Sequence, residues 1–229
     1  MADREAGARQ AETEPRPAAV AFVTTEHFTL QGARSSTIAE ATGRATMFLG
    51  AVSGGLVALG LIATAAGVRT AFYAFALILL PTLAFVGLAT FNRVLQSGIE
   101  DLGFASRIAR LRGYYFQYAP ELDGYLLSVP PAERLRLQGI GGGRWQKFLT
   151  VAAMVGLVTA VLAGSAAGLL AAVVSDHSLI AALIADVLAA IAVFTALIHF
   201  QVSAWRQAAL LLDDERAQTT AARGRSGAV

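Results

Sequence analysis

Cysteine is missing from the 229 residues altogether, and charged residues make up only 15% of them. The first absence excludes disulfides, thiolate nucleophiles and cysteine-based metal or iron–sulfur sites. The second excludes an ordinary soluble domain, in which roughly a quarter of residues are charged. Histidine is nearly as sparse: His27, His177 and His199 stand far apart and form no metal-ligand spacing. A net charge of +2 is too small to point to nucleic acid. What the chain does contain is apolar surface, with 55% hydrophobic residues and a mean hydropathy of +0.57. Such a chain belongs in a lipid bilayer.

The order of the apolar residues gives the spans. Uncharged stretches run from Ala45 to Val68, Thr70 to Asn92 and Phe148 to Ser175, and a fourth, Leu179 to Trp205, is interrupted only by Asp186. A helix rises about 1.5 Å per residue, so roughly 20 residues cross the hydrocarbon layer and each stretch is long enough. Only Gly67, Val68 and Arg69 are available to turn between the first two, and Asp176, His177 and Ser178 between the last two. The expected fold is therefore all-α, a polytopic membrane four-helix bundle of two transmembrane hairpins with cytoplasmic amphipathic helices.

Boundaries follow from this pattern. Residues 1–23 read as a disordered cytoplasmic tail, and residues 24–118 as a first hairpin unit with spans at about 46–68 and 70–92 plus entry and exit helices. Residues 119–147 form a cytoplasmic linker. Residues 148–216 make a second hairpin unit with spans at about 148–175 and 179–205, and residues 217–229 a second disordered tail. Residues 1–19 lack the apolar core of a signal peptide, so the first span is expected to act as an uncleaved anchor. Every Lys and Arg except Arg69 lies in the amino-terminal, central or carboxy-terminal segment. An even number of spans puts all three on one side, and retention of positive charge makes that side cytoplasmic. The expected location is the cell (plasma) membrane, with both termini inside.

The two hairpins also read as copies of one unit. Gly43-Arg44 with Phe48-Leu49 matches Gly143-Arg144 with Phe148-Leu149, and Gly55-Leu56-Val57 matches Gly156-Leu157-Val158. Towards the hairpin ends Phe85, Leu88, Phe91 and Asn92 align with Phe194, Leu197, Phe200 and Gln201. Chance matching of Ala, Gly, Leu and Val in membrane helices is the competing explanation.

Within the spans, Gly156, Ala160, Gly164 and Gly168 recur every fourth residue and leave a smooth ridge for close helix packing. The ridge serves contacts inside the bundle or, alternatively, a homo-oligomer. The first span has a shorter version at Gly50 and Gly54, with Gly55 and Gly60 nearby. Pro81 removes a backbone donor in mid-span, which gives either a fixed bend or a hinge. Asp186 is the intramembrane polar candidate. A carboxylate near the middle of a span costs about 2.5 to 3.5 kcal/mol on insertion scales, so it must face protein or water. It is read either as a charge near the helix amino terminus or as an ion or proton site with Ser175, Asp176 or His177. His199, thirteen residues further on, belongs with Gln201, Ser203, Trp205 and Arg206 to an interfacial belt.

Outside the spans, Phe104, Ile108, Leu111 and Tyr115 recur at helical spacing between Arg107, Arg110 and Arg112, an amphipathic pattern. Glu40 and Arg44 make an i,i+4 pair on the helix entering the first span. The run Gly139-Ile140-Gly141-Gly142-Gly143-Arg144 fits no phosphate-loop motif. No acid/base pair, cofactor motif or metal constellation is found, so neither a catalytic residue nor a cofactor is expected and an enzyme is disfavoured.

The stretches TTEHFTLQGARSSTIAEATGRATMFLGAVSGGLVALG, LLPTLAFVGLATFNRVLQSGIED and RIARLRGYY resemble uncharacterised bacterial four-helix integral membrane proteins over most of residues 24–118. The plan of polar entry helix, tight hairpin and amphipathic exit helix is also similar, in topology alone, to SLATT two-helix membrane effectors. That resemblance implies a pore-type effector. The leading expectation is a helix-bundle scaffold, sensor or pore-type effector with the lipid bilayer, a cytoplasmic protein and a second copy as candidate partners. The alternative is a small ion- or proton-coupled transporter using Asp186.

Overall fold

A computed structural model describes residues 17–118, 150–175 and 178–226. Among them there are four helices and no strand: α1, Pro17–Ala66; α2, Thr70–Tyr118; α3, Val151–Val174; and α4, Leu179–Ser226. Each contains a segment long and apolar enough to cross a membrane. Over the described residues the protein is therefore all-helical, and its four long apolar helices make it a multi-pass membrane protein. The linker 119–147, the Gly139–Arg144 run, Asp176, His177 and residues 1–16 lie outside the described residues.

The helix ends have local causes. Pro17 suits the first position of α1, where a missing N–H costs nothing. The helix stops at Gly67, whose φ of +69° is left-handed and open to glycine without a Cβ penalty. Thr150 caps α3 by accepting the N–H of Ala153 at 3.1 Å, and the Ser178 hydroxyl accepts the N–H of Ala181 at the start of α4. Along the shafts, Ser53, Thr82, Thr90 and Thr159 donate their hydroxyls to carbonyls four residues back. This satisfies the hydroxyls inside the helix, as an apolar solvent demands.

Helix bounds differ from expectation at three places. Residues 17–23 are helical rather than part of a disordered tail, because Ala and Phe follow a helix-starting proline without a breaker. Residues 217–226, also expected to be disordered, continue α4 as helix. The third span begins at Val151 instead of Phe148, because Thr150 takes the capping position. Pro81 lies exposed within the unbroken α2.

The fold divides into two compact units. One comprises Met1–Ile38 and Glu100–Gly143, and the other Ala39–Ile99 and Arg144–Val229. In the first, Leu30, Ala105 and Ile108 are buried, while Arg107 and Arg110 are exposed. Of the residues in the amphipathic pattern, Ile108 is buried, while Phe104, Leu111 and Arg112 are half-buried. Arg34 joins this unit across helices, its Nε donating to Asp101 at 2.6 Å and a terminal nitrogen to the other carboxylate oxygen at 3.2 Å.

The second unit holds the main core. Phe48, Val52, Leu80, Phe91, Val155 and Leu197 pack in one cluster, with Phe91 1% exposed. Glu40 receives Arg44 at 2.9 Å and Arg93 at 3.3 Å. The two guanidinium groups hold the Glu40 carboxyl below the usual carboxylate range, with the Arg44 hydrogen bond the larger cause. Gly87 is buried where α1, α2 and α3 meet, facing Phe48 and the Thr159 hydroxyl. Large apolar residues such as Met47, Val57, Phe85 and Ile191 remain exposed around the apolar segments. In a membrane helix that outward surface is the lipid-facing one.

Candidate functional site

The third-helix ridge and Asp186 come together. Gly156, Ala160, Gly164 and Gly168 are all buried on α3. Gly156 faces the Phe91 ring and Leu197. Gly164 faces Asp186 and Ala190, and Gly168 faces Ala182 and Asp186. Partner numbers fall along α4 as they rise along α3, so the two helices run antiparallel at this contact.

The approach is close enough to require glycine. A methyl group on Gly164 would lie 2.6 Å from the backbone carbonyl oxygen of Asp186 and 2.8 Å from the Ala190 Cβ. On Gly168 it would lie 2.8 Å from the Ala182 carbonyl oxygen. Backbone atoms have no rotamer with which to yield, so any larger residue must push the helices apart. Dispersion and weak Cα–H···O interactions stabilise so close an approach, and they are the forces that hold helices together where lipid removes the hydrophobic drive.

Asp186 is partly buried, with a carboxylate oxygen against Gly164 and its Cα and Cβ against Gly168. Among the described residues it has no hydrogen-bond or ion-pair partner. It therefore faces protein rather than open lipid. Of the groups grouped with it by sequence, Ser175 donates its hydroxyl to the Ala171 carbonyl at 2.6 Å. Asp176 and His177 lie outside the described residues. No cluster of three metal-binding side chains occurs among the described residues.

The other glycine motif behaves differently. Nothing lies within 4 Å of a methyl group placed on Gly50, Gly54 or Gly60, whereas one on Gly55 would lie 2.9 Å from a Leu83 methyl group, so only the Gly50, Gly54 and Gly60 positions are open. The interfacial group is also split: Gln201 is 1% exposed and donates to the Thr150 hydroxyl at 3.2 Å, whereas His199 and Arg206 are exposed. Trp205 packs against Gly98 of α2. Sequence reasoning missed the Gln201–Thr150 bond and the Arg34–Asp101 pair. The second joins positions 67 apart, a separation that no local spacing rule reaches. No protein-family model matches the chain, and neither a curated protein nor a solved structure matches it.

Proposed function

We propose that the protein is a multi-pass membrane scaffold or sensor built from two transmembrane hairpins, with a cytoplasmic face that receives a protein partner. One observation carries this reading: α1, α2 and α4 continue as helix well past their uncharged stretches, over residues 17–44, 93–118 and 206–226. At about 1.5 Å per residue these extensions add roughly 30 to 40 Å of helix each. By contrast, the opposite connections are only Gly67–Arg69 and residues 175–178. The extensions hold most of the cations, which the positive-inside rule assigns to the cytoplasm of the cell membrane.

Because the chain contains no cysteine, single cysteines report topology directly. A membrane-impermeant maleimide applied to intact cells is expected to label Thr70→Cys and to spare Ser36→Cys; the reverse pattern sinks the orientation. A photo-crosslinker at exposed Arg107 should form a discrete protein adduct, while one at lipid-facing Val57 should not. Absence of an adduct at Arg107 sinks the partner.

A small ion- or proton-coupled transporter is the second reading, favoured by the unpartnered carboxylate of Asp186 among the described residues. Against it stand Ser53, Thr82, Thr90 and Thr159, whose hydroxyls donate within their own helices. Ion flux into proteoliposomes that is unchanged in Asp186→Asn removes this reading. The pore-type effector requires self-association, for which the ridge on α3 is already occupied within the chain.

A further inference from the structure

We infer that the charged end of α4 binds the phosphate group of an anionic phospholipid. A recess of about 540 Å³ lies on one face of this helix. Among the described residues its polar lining is Thr195, His199, Ser203, Arg206 and Gln207, and its apolar lining Ile198 and Val202. Residues 199, 203 and 206 fall on one face because positions three, four and seven apart do so on any helix.

Of this lining, Thr195, His199, Arg206 and Gln207 are exposed, whereas Ile198 is buried. Gln201 is buried against Thr150 and Trp205 is set against Gly98, which fixes the rotation of this part of α4. Arg206 is five residues beyond Gln201, about 140° around the helix at 100° per residue. The exposed His199, Arg206 and Gln207 therefore lie on a side of α4 that Gln201 and Trp205 do not occupy.

Its chemistry selects the occupant. Arg34, Arg44 and Arg93 each pair with a carboxylate, but Arg206 has no ion pair among the described residues. It stands directly after Trp205, at the boundary where an apolar span meets the headgroups. A guanidinium there offers paired N–H donors to phosphate oxygens. Gln207 adds an amide donor and His199 a ring N–H. The Ser203 hydroxyl instead donates to the Phe200 carbonyl. Val202, half-buried in the same lining, presents hydrocarbon surface of the kind an acyl chain meets. A free anion would use the donors and leave this apolar part uncovered, so a lipid fits the whole lining.

The test is native mass spectrometry of the full chain released from nanodiscs of phosphatidylglycerol or phosphatidylcholine. The wild-type protein should retain phosphatidylglycerol in preference to phosphatidylcholine. Arg206→Gln combined with His199→Leu should lower that retention several-fold, and Arg206→Lys should recover part of it. Arg69→Gln, at the exposed turn after α1, should leave it unchanged. Equal retention of the two lipids by the wild type, or unchanged retention in the double variant, overturns the inference. Displacement of the lipid by millimolar inorganic phosphate would overturn it too, by showing a soluble-anion site.

Discussion

Helices α1 and α2 meet through large side chains and charge, whereas α3 and α4 meet through backbones brought together by glycine. In the first pair Gly55 faces the side chains of Leu79 and Leu83, and Glu40 bridges to Arg93. In the second, Gly164 and Gly168 bring carbonyl oxygens of α4 within reach of a single added methyl group. Positions paired by the apparent repeat also differ in environment. Phe91 is 1% exposed and Phe200 51%, while Asn92 is exposed and Gln201 buried. Similar sequence in a membrane helix thus leaves open which face turns inward. That choice is made by the partners available at each position.

The largest effect should separate the two aligned phenylalanines. Phe91→Ala empties the centre of the core and should cost about 3 to 5 kcal/mol, the range for a buried aromatic. Phe200→Ala should cost far less. Unfolding in mixed detergent measures both, and equal losses would erase the asymmetry between the pairs. Next, Gly164→Ala should destabilise by about 1 to 3 kcal/mol through overpacking against backbone. Gly54→Ala, which meets nothing, should be neutral or stabilise by up to about 1 kcal/mol through helix propensity. The same titration reads this contrast, and a neutral Gly164→Ala would deny the close approach.

Smaller changes probe the charges. Arg34→Glu should lose up to about 1 kcal/mol at this half-exposed pair, and Asp101→Arg added to it should restore most of the loss. A double variant no better than the single one would show that the pair does not couple the helices. The smallest effect concerns Glu40. Its carboxyl titrates below the ordinary value in the folded chain. Its contribution is therefore present above the unfolded carboxylate pKa, near 4.3, and lost as pH falls through the lower folded value. Arg44→Gln should move the Glu40 titration upward when followed by carboxylate NMR. An unmoved titration would leave the lowering without its named cause.

The apolar segments are legible in the sequence because they are defined by the absence of charge, a property that needs no tertiary information. The small-residue spacing on α3 and the isolated Asp186 are each visible too. Their meeting is not, because it depends on the rotation and register of α4 against α3. Residues 217–226 read as a tail in the sequence because their small and polar composition resembles that of mobile segments, and residues 17–23 because they adjoin the polar residues 1–16, while alanine in both favours helix. The fate of Gly50 and Gly54 is equally hidden: the four-residue spacing is the same whether a neighbour fills the groove or lipid does.

The seat of Asp186 over Gly164 and Gly168 also bears on biogenesis. A lone carboxylate entering the hydrocarbon layer on α4 carries an insertion penalty, about 2.5 to 3.5 kcal/mol for a central position. Chain order delivers α3 first, so its glycine surface is already made when α4 leaves the ribosome. The older helix then serves as a receiving template for the younger one. Enlarging Gly164 should accordingly leave the last segment stranded outside the bilayer in a fraction of newly made chains. The lesion would appear as mixed topology at synthesis, before mature stability is ever at issue.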